Sequence, residues 1–152
     1  MDYHILPYRE CDKEQVFAFT DACFTELGKS FDPDGRHSFY QDISKSFTAF
    51  WCMFADDVVI GTVALKKHSS ERTELKALYL AKESRGRGFG AQLLQTALHY
   101  AEESGFQNVV LDSMSQYTAA LRLYEKAGFR QIERFNDNLY ADVFMQLDFD
   151  RS

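Results

Sequence analysis

A glycine-rich loop, Arg85-Gly86-Arg87-Gly88-Phe89-Gly90, constrains this chain more than any other feature, because it stands between a strand-like run and an amphipathic helical pattern. Glycine lets the backbone approach a bound group closely. The first N–H groups of a helix point toward an anion with the positive end of the helix dipole behind them. A solvated turn needs neither three glycines nor two arginines. The loop therefore predicts a binding site for a phosphate-bearing ligand.

The same glycines also fit the dinucleotide-binding motif. Gly86 to Ala91 satisfies G-x-G-x-x-G/A, and Asp112 lies about 20 residues on, where that motif places an acidic residue for the ribose. In that fold, however, the strand runs almost directly into the first glycine, whereas residues 81–85 intervene here. The loop also follows a predicted antiparallel hairpin. An NAD(P)-binding oxidoreductase stays an alternative, while a Walker-type loop is excluded because no G-K-[ST] follows the glycines.

Hydrophobic periodicity and turn residues predict the other elements. Asp56-Asp57 joins two apolar runs as a tight antiparallel hairpin, and Gly28, Gly105 and Gly128 are placed to end three helices. The predicted order is a strand at 3–8, a helix from Asp12, a loop at 31–35, a short helix at 39–47, strands at 49–55, 58–65 and 74–80, the helix after the glycine loop, a strand at 108–111, a helix at 118–127, and strands at 129–135 and 140–149. This order is typical of an α/β (α+β) fold with a mixed, mostly antiparallel central sheet flanked by helices, here in a single domain over residues 1–152.

Charge and cysteine usage disfavour several classes of function. The net charge of −6 argues against nucleic acid, because a duplex binder needs a basic face. Cys11, Cys23 and Cys52 lack the close spacing of zinc sites and disulfide frameworks, and the histidines show no metal-ligand spacing. No apolar run approaches the roughly 20 residues of a membrane span, and the first residues do not resemble a signal peptide. We expect a cytoplasmic protein with no metal, no nucleic-acid partner and no membrane partner.

Three stretches together resemble the GNAT superfamily of N-acetyltransferases. The loop matches the motif Q/R-x-x-G-x-G/A with Arg85, Gly88 and Gly90 in register, and residues 74–80 resemble the central strand that leads into it. Downstream, residues 120–129 resemble the motif A-x-x-L-Y-x-K-x-G-F. The resemblance implies the acyl-CoA N-acyltransferase fold, in which two neighbouring parallel strands splay apart and hold acyl-CoA in the resulting V.

The resemblance also implies which residues hold the cosubstrate, acetyl-CoA. Backbone groups on the central strand would pair with the pantetheine arm as an added strand would, and amides of the loop would hold the pyrophosphate. The implied residues are Leu78, Tyr79 and Leu80 on the strand, and Arg85, Gly86, Arg87, Gly88, Phe89, Gly90 and Ala91 in the loop. The family often has an asparagine seven residues before the tyrosine of the A-x-x-L-Y-x-K-x-G-F motif. That tyrosine is Tyr124 here, and this chain has Tyr117 at the asparagine position.

Two residues are implied as catalytic. Tyr124 stands where many members carry the general acid for the departing thiolate, and a phenol with a pKa near 10 can give a proton to sulfur. Periodicity alone favours a core tyrosine, whereas the motif around it favours the catalytic role. Glu74 is implied as the base that deprotonates the amine, with a solvated strand-end glutamate as the other interpretation and Glu71 as a substitute. Strand alternation predicts that one face presents Glu74, Lys76, Leu78 and Leu80.

The implied activity is transfer of the acetyl group from acetyl-CoA to a primary amine of a small molecule or peptide, by direct attack in a ternary complex. No cysteine or serine has an identifiable neighbouring histidine and acid for a covalent intermediate. The alternative is a non-catalytic acyl-CoA-binding regulatory module. The segment that usually forms the acceptor wall contains Asp32, Asp34, Arg36 and Tyr40. The acceptor itself is not determined, and homodimerisation is left open.

Overall fold

The computed structural model describes residues 1–150, which form one seven-stranded sheet and four α-helices. The strands are β1 (Tyr3–Pro7), β2 (Ala49–Ala55), β3 (Val58–Lys67), β4 (Arg72–Leu80), β5 (Asn108–Ser113), β6 (Arg130–Gln131) and β7 (Val143–Asp148). The helices are α1 (Lys13–Glu26), α2 (Ile43–Ser46), α3 (Phe89–Glu103) and α4 (Thr118–Ala127), with short 3-10 turns at Glu10–Asp12, Ser38–Asp42 and Lys82–Ser84. Within this described part, no helix has the length and apolar character to cross a membrane, and no group of three or more His, Cys, Asp or Glu is placed to hold a metal ion.

The sheet opens between its two parallel strands. The strand order is β1-β2-β3-β4-β5-β7-β6, and of these neighbours β4 and β5 run parallel while the other pairs are antiparallel. The β4–β5 ladder runs only from Arg72↔Asn108 to Glu74↔Val110. Beyond Glu74 the two strands diverge, so the predicted mostly antiparallel sheet with splayed parallel strands is confirmed.

Separate hydrophobic cores cover the two faces of the sheet. On one face α3 buries the apolar stripe that includes Leu93, Ala97 and Ala101, which recur at helical spacing. Gly61 of β3 allows this close packing, since a Cβ there would lie 2.8 Å from Leu93 Cδ1. On the other face, α1 and residues 38–47 pack a second core that includes Val16. Both faces of the sheet are thus covered by helices and their connecting segments.

A bulge in β4 changes which side chains share a face. Ala77 has a φ of +55°, the register against β3 shifts at this point, and the Thr62 hydroxyl donates to the Ala77 carbonyl at 2.7 Å. Leu78 and Leu80 pack against the core on the α3 side, as Leu75 does, whereas Glu74 and Lys76 alternate with Leu75 and lie on the α1 side. The prediction of one shared face is therefore wrong, because a bulge adds a residue and inverts the alternation after it.

The last part of the described chain contains less strand than the sequence predicts. The pattern predicts strands at 129–135 and 140–149, but β6 has two residues and β7 begins at Val143. Residues 132–142 are mostly irregular. The Arg134 guanidinium donates to the carbonyls of Asn138 and Ala141 at 2.8 and 3.0 Å, so side-chain bonds replace a strand ladder there.

Candidate active site

A cavity of about 990 Å³ lies where β4 and β5 diverge. Both strands line it, together with the end of α1, parts of the segment 28–47, the first half of α4 and residues 138–141. Glu74, the last residue of β4 that pairs with β5, lines the cavity, and so does Tyr124 of α4. Arg85, the first residue of the glycine loop, is also part of the wall. Both predicted catalytic residues and the first residue of the predicted phosphate site therefore line the same cavity.

The backbone of the glycine loop has the geometry of an anion cradle. Gly86 and Gly88 have φ values of +79° and +83°, and a Cβ at either position would meet no atom within 4 Å. Backbone conformation, and not crowding, therefore requires glycine there. Gly88 is the N-cap residue of α3, so the N–H groups of Phe89, Gly90 and Ala91 belong to the first turn and lack intrahelical acceptors. Their role with a pyrophosphate stays a prediction.

The two arginine side chains of the loop point to different parts of the protein. Arg85 forms a two-point pair with Glu26 at the end of α1, with both N–O distances at 2.7 Å, and it donates to the Leu80 carbonyl at 3.2 Å. This hydrogen-bonded pair lowers the pKa of the Glu26 carboxyl. Arg87 instead donates to the Tyr3 hydroxyl at 2.9 Å. Glu26, from a distant part of the sequence, thus partly neutralises the positive charge of the loop at Arg85.

The second half of β4 presents a backbone edge to the cavity. Leu78, Tyr79 and Leu80 all line it and lie beyond the last β4–β5 pair. On the other side of the strand, Tyr79 pairs with Thr62 and Leu80 pairs with Gly61 of β3. The Tyr79 ring packs edge-on against Phe24, and burial raises the pKa of its phenol above the ordinary value. An extended backbone with no strand beside one edge is the geometry to which a linear chain of amides adds as a strand, and on this edge Arg85 already donates to the Leu80 carbonyl.

Tyr124 brings a protonated phenol to the cavity. The residue is 8% exposed, and its ring lies edge-on to Phe129 with 5.8 Å between centroids. Burial, with a smaller contribution from the Asp112 carboxylate, raises the pKa of the phenol to about 12. At neutral pH the hydroxyl therefore keeps its proton. Its role as an acid stays a prediction.

Glu74 is buried and held by two neighbours. Its side chain is 7% exposed, with Oε1 at 2.8 Å from His68 Nε2 and Oε2 at 3.2 Å from Lys76 Nζ. Lys76 lines the cavity and His68 does not. Glu71 is exposed and lies outside the cavity lining. The interpretation of Glu74 as a solvated strand-end glutamate therefore does not fit.

Sequence reasoning did not assign a role to either partner of Glu74. The sequence could have identified Lys76 as a neighbour of Glu74, because residues two apart on a strand share a face. His68 carries none, since it reaches Glu74 only through the turn between β3 and β4 and the pairing Lys66↔Glu74.

Asp112, at the carboxyl end of β5, fixes the irregular segment 132–142. It accepts hydrogen bonds from the side-chain amides of Asn136 and Asn138 at 2.7 and 3.3 Å. Asp112 and Asn138 both line the cavity. The polar turn between the last two predicted strands thus builds one wall of the cavity, and the carboxylate that the dinucleotide motif would offer to a ribose is bound to protein amides instead.

Most of the predicted acceptor wall also lines the cavity. Asp32, Arg36 and Tyr40 line the cavity, whereas Asp34 does not. The Arg36 guanidinium lies 4.4 Å from the centre of the Tyr140 ring, which links the segment 28–47 to the turn. Such cation–π contacts hold two surface segments together.

Tyr117 occupies the position of the family's usual asparagine. It is the N-cap residue of α4 and lines the cavity, and the Lys29 ammonium lies 5.3 Å from its ring centre. Its hydroxyl is buried with no hydrogen-bond partner among residues 1–150. Buried polar groups normally have a partner, so this hydroxyl is available to a ligand in the cavity.

Comparisons with known proteins agree with this geometry. The family model described as the Acetyltransferase (GNAT) family matches residues 13–129. N-acetyltransferase 8B from Rattus norvegicus is 31% identical over 109 residues, which are 65% of this chain and 49% of the relative. The uncharacterized N-acetyltransferase YsnE from Bacillus subtilis is 31% identical over 90 residues, covering 58% of this chain and 60% of the relative. The chain spans about half the length of the first curated relatives it matches.

Solved structures share the fold over nearly the whole chain. An acetyltransferase of the GNAT family from Staphylococcus aureus Mu50 has a TM-score of 0.87 at 20% identity, covering 97% of this chain and 99% of that chain. YncA from Salmonella typhimurium, a putative acetyltransferase solved with its cofactor acetyl-CoA, has a TM-score of 0.75 at 20% identity, covering 100% and 96%. The match of the family model over most of the chain, together with the splayed strands and the glycine loop, shows that this chain belongs to the GNAT acetyltransferase family.

Proposed function

We propose that this chain is an acetyl-CoA-dependent N-acetyltransferase that acetylates a primary amine by direct attack in a ternary complex. One observation carries the proposal. Where β4 and β5 part, a single cavity contains a free backbone edge, a buried carboxylate on Glu74 and a buried phenol on Tyr124. A transfer from a thioester to an amine needs these three components: a place for the acyl donor, a base and an acid.

The residues present fit the cosubstrate. The β4 edge at residues 78–80 suits the pantetheine amides, and the left-handed glycines with the α3 N-terminus suit the pyrophosphate. The buried, unpartnered Tyr117 hydroxyl can replace the family's asparagine as a hydrogen-bonding group. When bound, acetyl-CoA supplies an acetyl group activated as a thioester.

Glu74 removes a proton from the acceptor ammonium. Oε1 is held by His68, which fixes the carboxylate, and Oε2 faces the cavity-lining Lys76. An acceptor ammonium replaces the Lys76 ammonium at Oε2 and gives up its proton there, which leaves a lone pair on nitrogen for attack. General-base assistance of this kind contributes roughly 10²–10⁴-fold to the rate.

As the C–N bond forms and the C–S bond breaks, Tyr124 gives its proton to the departing sulfur, and the second proton that the new amide nitrogen loses restores the phenol. Since burial raises the pKa of the phenol to about 12, the acid form persists across the working pH range. A covalent route through Cys23, which also lines the cavity, is disfavoured because burial raises the pKa of its thiol to about 11. The reactive form of cysteine is the thiolate.

Cytoplasmic location is also part of the proposal. It is supported by the three cysteines, Cys11, Cys23 and Cys52, all of which are free. Free thiols are usual in reducing compartments. Fractionation of cells that produce the tagged full-length protein tests this, and light scattering in the same preparation measures whether it forms a homodimer.

Thermal melting tests cosubstrate binding. CoA or acetyl-CoA at 100 times its Kd stabilises the folded state by about 2.7 kcal/mol, which raises Tm by roughly 5–10 °C for a chain of this size. We expect this shift with both, and none with NADH. A shift with NADH alone would refute the proposal in favour of the dinucleotide-binding alternative.

Thiol release over a panel of amines separates an enzyme from a non-catalytic acyl-CoA-binding module. We expect release with wild type and a loss of 10²-fold or more in Glu74→Gln and Tyr124→Phe. Glu71→Gln and Tyr100→Phe are matched controls, since both residues are exposed and lie outside the cavity lining. A Tyr124→Phe enzyme with the wild-type rate would remove Tyr124 from the mechanism. Binding of CoA without release for any amine would favour the module.

A further inference from the structure

We infer that the acceptor is an arylalkylamine: a primary ammonium joined by a short chain to an aromatic ring. The inference rests on the proposed transferase function and specifies its substrate class. It follows from two features of the cavity, an aromatic wall on the side of the 28–47 segment and an internal ammonium already paired with Glu74.

Aromatic rings dominate one wall of the cavity. Within this wall, Phe39 packs on Tyr40 and Phe47 at centroid distances of 5.2 and 6.0 Å, and Tyr40 packs on Phe47 at 5.8 Å. The rings that line the cavity here are Phe24, His37, Phe39, Tyr40 and Phe47. Tyr40 and Phe47 are buried, whereas Phe39 is 40% exposed. A large aromatic ring that stays exposed inside a cavity is available to stack on a ligand ring.

Lys76 marks the place of the acceptor ammonium. Its primary ammonium lies 3.2 Å from Glu74 Oε2, and its side chain lines the same cavity. The carboxylate therefore accepts a hydrogen bond from a primary ammonium in this geometry. Lys76 and Glu74 lie on the α1 side of the sheet, which is also the side of the aromatic wall. We therefore expect an amine bound at Glu74 Oε2 to extend its substituent toward the rings of the aromatic wall.

The remaining charges of the cavity bear on two other classes of acceptor. The Arg36 guanidinium stacks on the Tyr140 ring, and the Lys29 ammonium lies over the Tyr117 ring. Neither cation forms a salt bridge within residues 1–150, so an acceptor that carries a carboxylate is a competing class, which phenylalanine in the amine panel tests. For a polyamine's second ammonium the lining offers Asp112, which is engaged by two side-chain amides, and Asp32, whose carboxylate accepts the Arg36 backbone N–H at 3.3 Å; spermidine in the amine panel tests this class.

Turnover of four amines tests the inference: phenethylamine, ethanolamine, spermidine and phenylalanine. We expect kcat/KM for phenethylamine to exceed the other values at least tenfold, equivalent to about 1.4 kcal/mol of transition-state binding. Phe39→Ala should reduce kcat/KM for phenethylamine about tenfold and leave the ethanolamine value within threefold. Leu139→Ala is the matched control, since Leu139 is an exposed apolar side chain outside the cavity lining.

A binding measurement provides a second readout that needs no turnover. With saturating CoA, which cannot transfer an acetyl group, phenethylamine should raise the Tm of wild type more than ethanolamine does at equal concentration. Lys76→Met removes the internal competitor for Glu74 and should increase the shift. An equal or smaller shift in Lys76→Met would overturn the assignment of the ammonium position.

The outcomes separate the two levels of the proposal. Thiol release that is fastest with spermidine, ethanolamine or phenylalanine overturns the arylalkylamine inference and leaves the transferase standing. No release with any amine, despite a Tm shift with CoA, overturns the transferase and the inference with it. Equal losses for phenethylamine and ethanolamine in Phe39→Ala would show a structural role for the ring and also count against the inference.

Discussion

Two glycines of the same loop, Gly88 and Gly90, should respond in opposite ways to replacement by alanine. Gly88 has a φ of +83°, where an L side chain is strained by roughly 1–2 kcal/mol. Gly90 is the second residue of α3 and has no positive φ, and a Cβ there would meet Leu123 Cδ2 at 3.6 Å, an ordinary contact. Alanine fits that backbone, and its smaller unfolded-state entropy stabilises by about 0.4–1 kcal/mol.

The expected shifts in Tm follow from these energies. For a chain of about 150 residues, 1 kcal/mol corresponds to roughly 2–4 °C. Gly88→Ala should therefore lower Tm by about 2–8 °C, and Gly90→Ala should raise it by about 1–4 °C. Scanning calorimetry of the unliganded proteins, with wild type measured alongside, resolves differences of this size.

CoA affinity should separate the two variants as well. Gly88→Ala displaces the first-turn N–H groups that it precedes, so we expect CoA to bind at least tenfold more weakly by titration calorimetry. The motif that this loop resembles allows alanine at the position of Gly90, so Gly90→Ala should keep its affinity within about threefold. A Gly88→Ala protein with wild-type Tm and wild-type CoA affinity would refute the argument that left-handed glycine geometry builds the phosphate site.

Three further changes test other parts of the structure. Gly61→Ala would place a Cβ 2.8 Å from Leu93 Cδ1, and such overpacking should lower stability by about 1–3 kcal/mol in urea titrations; an unchanged midpoint would show that the contact relaxes freely. Glu26→Gln frees the Arg85 guanidinium from its carboxylate partner and should tighten CoA binding most at low salt; weaker binding would mean that the pair orders the site. The pKa of Tyr124 is about 12 in the folded state, whereas an unfolded tyrosine titrates near 10. Wild type should therefore lose stability relative to Tyr124→Phe as pH rises from 10 toward 12, by roughly 1 kcal/mol at pH 11. Parallel curves of unfolding free energy against pH for the two proteins would contradict burial of the phenol.

The sequence determined the elements whose signals are local. The helix predicted at 118–127 matches α4, and Gly128 ends it with a φ of +109°. The Asp56-Asp57 hairpin and the helix after the glycine loop also match, because tight turns, helix stops and apolar stripes depend on neighbouring residues alone. The glycine loop identified the family resemblance for the same reason.

Tertiary structure decided what depends on distant residues. The bulge at Ala77 accepts a hydrogen bond from the Thr62 hydroxyl of β3, and it moves Leu78 away from the face of Glu74. Periodicity extends a strand through residues 132–135, yet β6 ends at Gln131, and the Arg134 side chain donates to the carbonyls of the following turn.

In the cavity, too, the sequence identified single residues and the tertiary structure supplied their neighbours. Sequence singled out Tyr124, Glu74 and the loop, but their surroundings come from across the fold: Glu26 reaches Arg85 from α1, and His68 reaches Glu74 through a strand pairing. Hydrogen bonds and ion pairs act over about 3 Å regardless of how far apart the partners lie in the chain. The chain sequence therefore determined which reactive groups are present, and only the folded structure decided which of them meet.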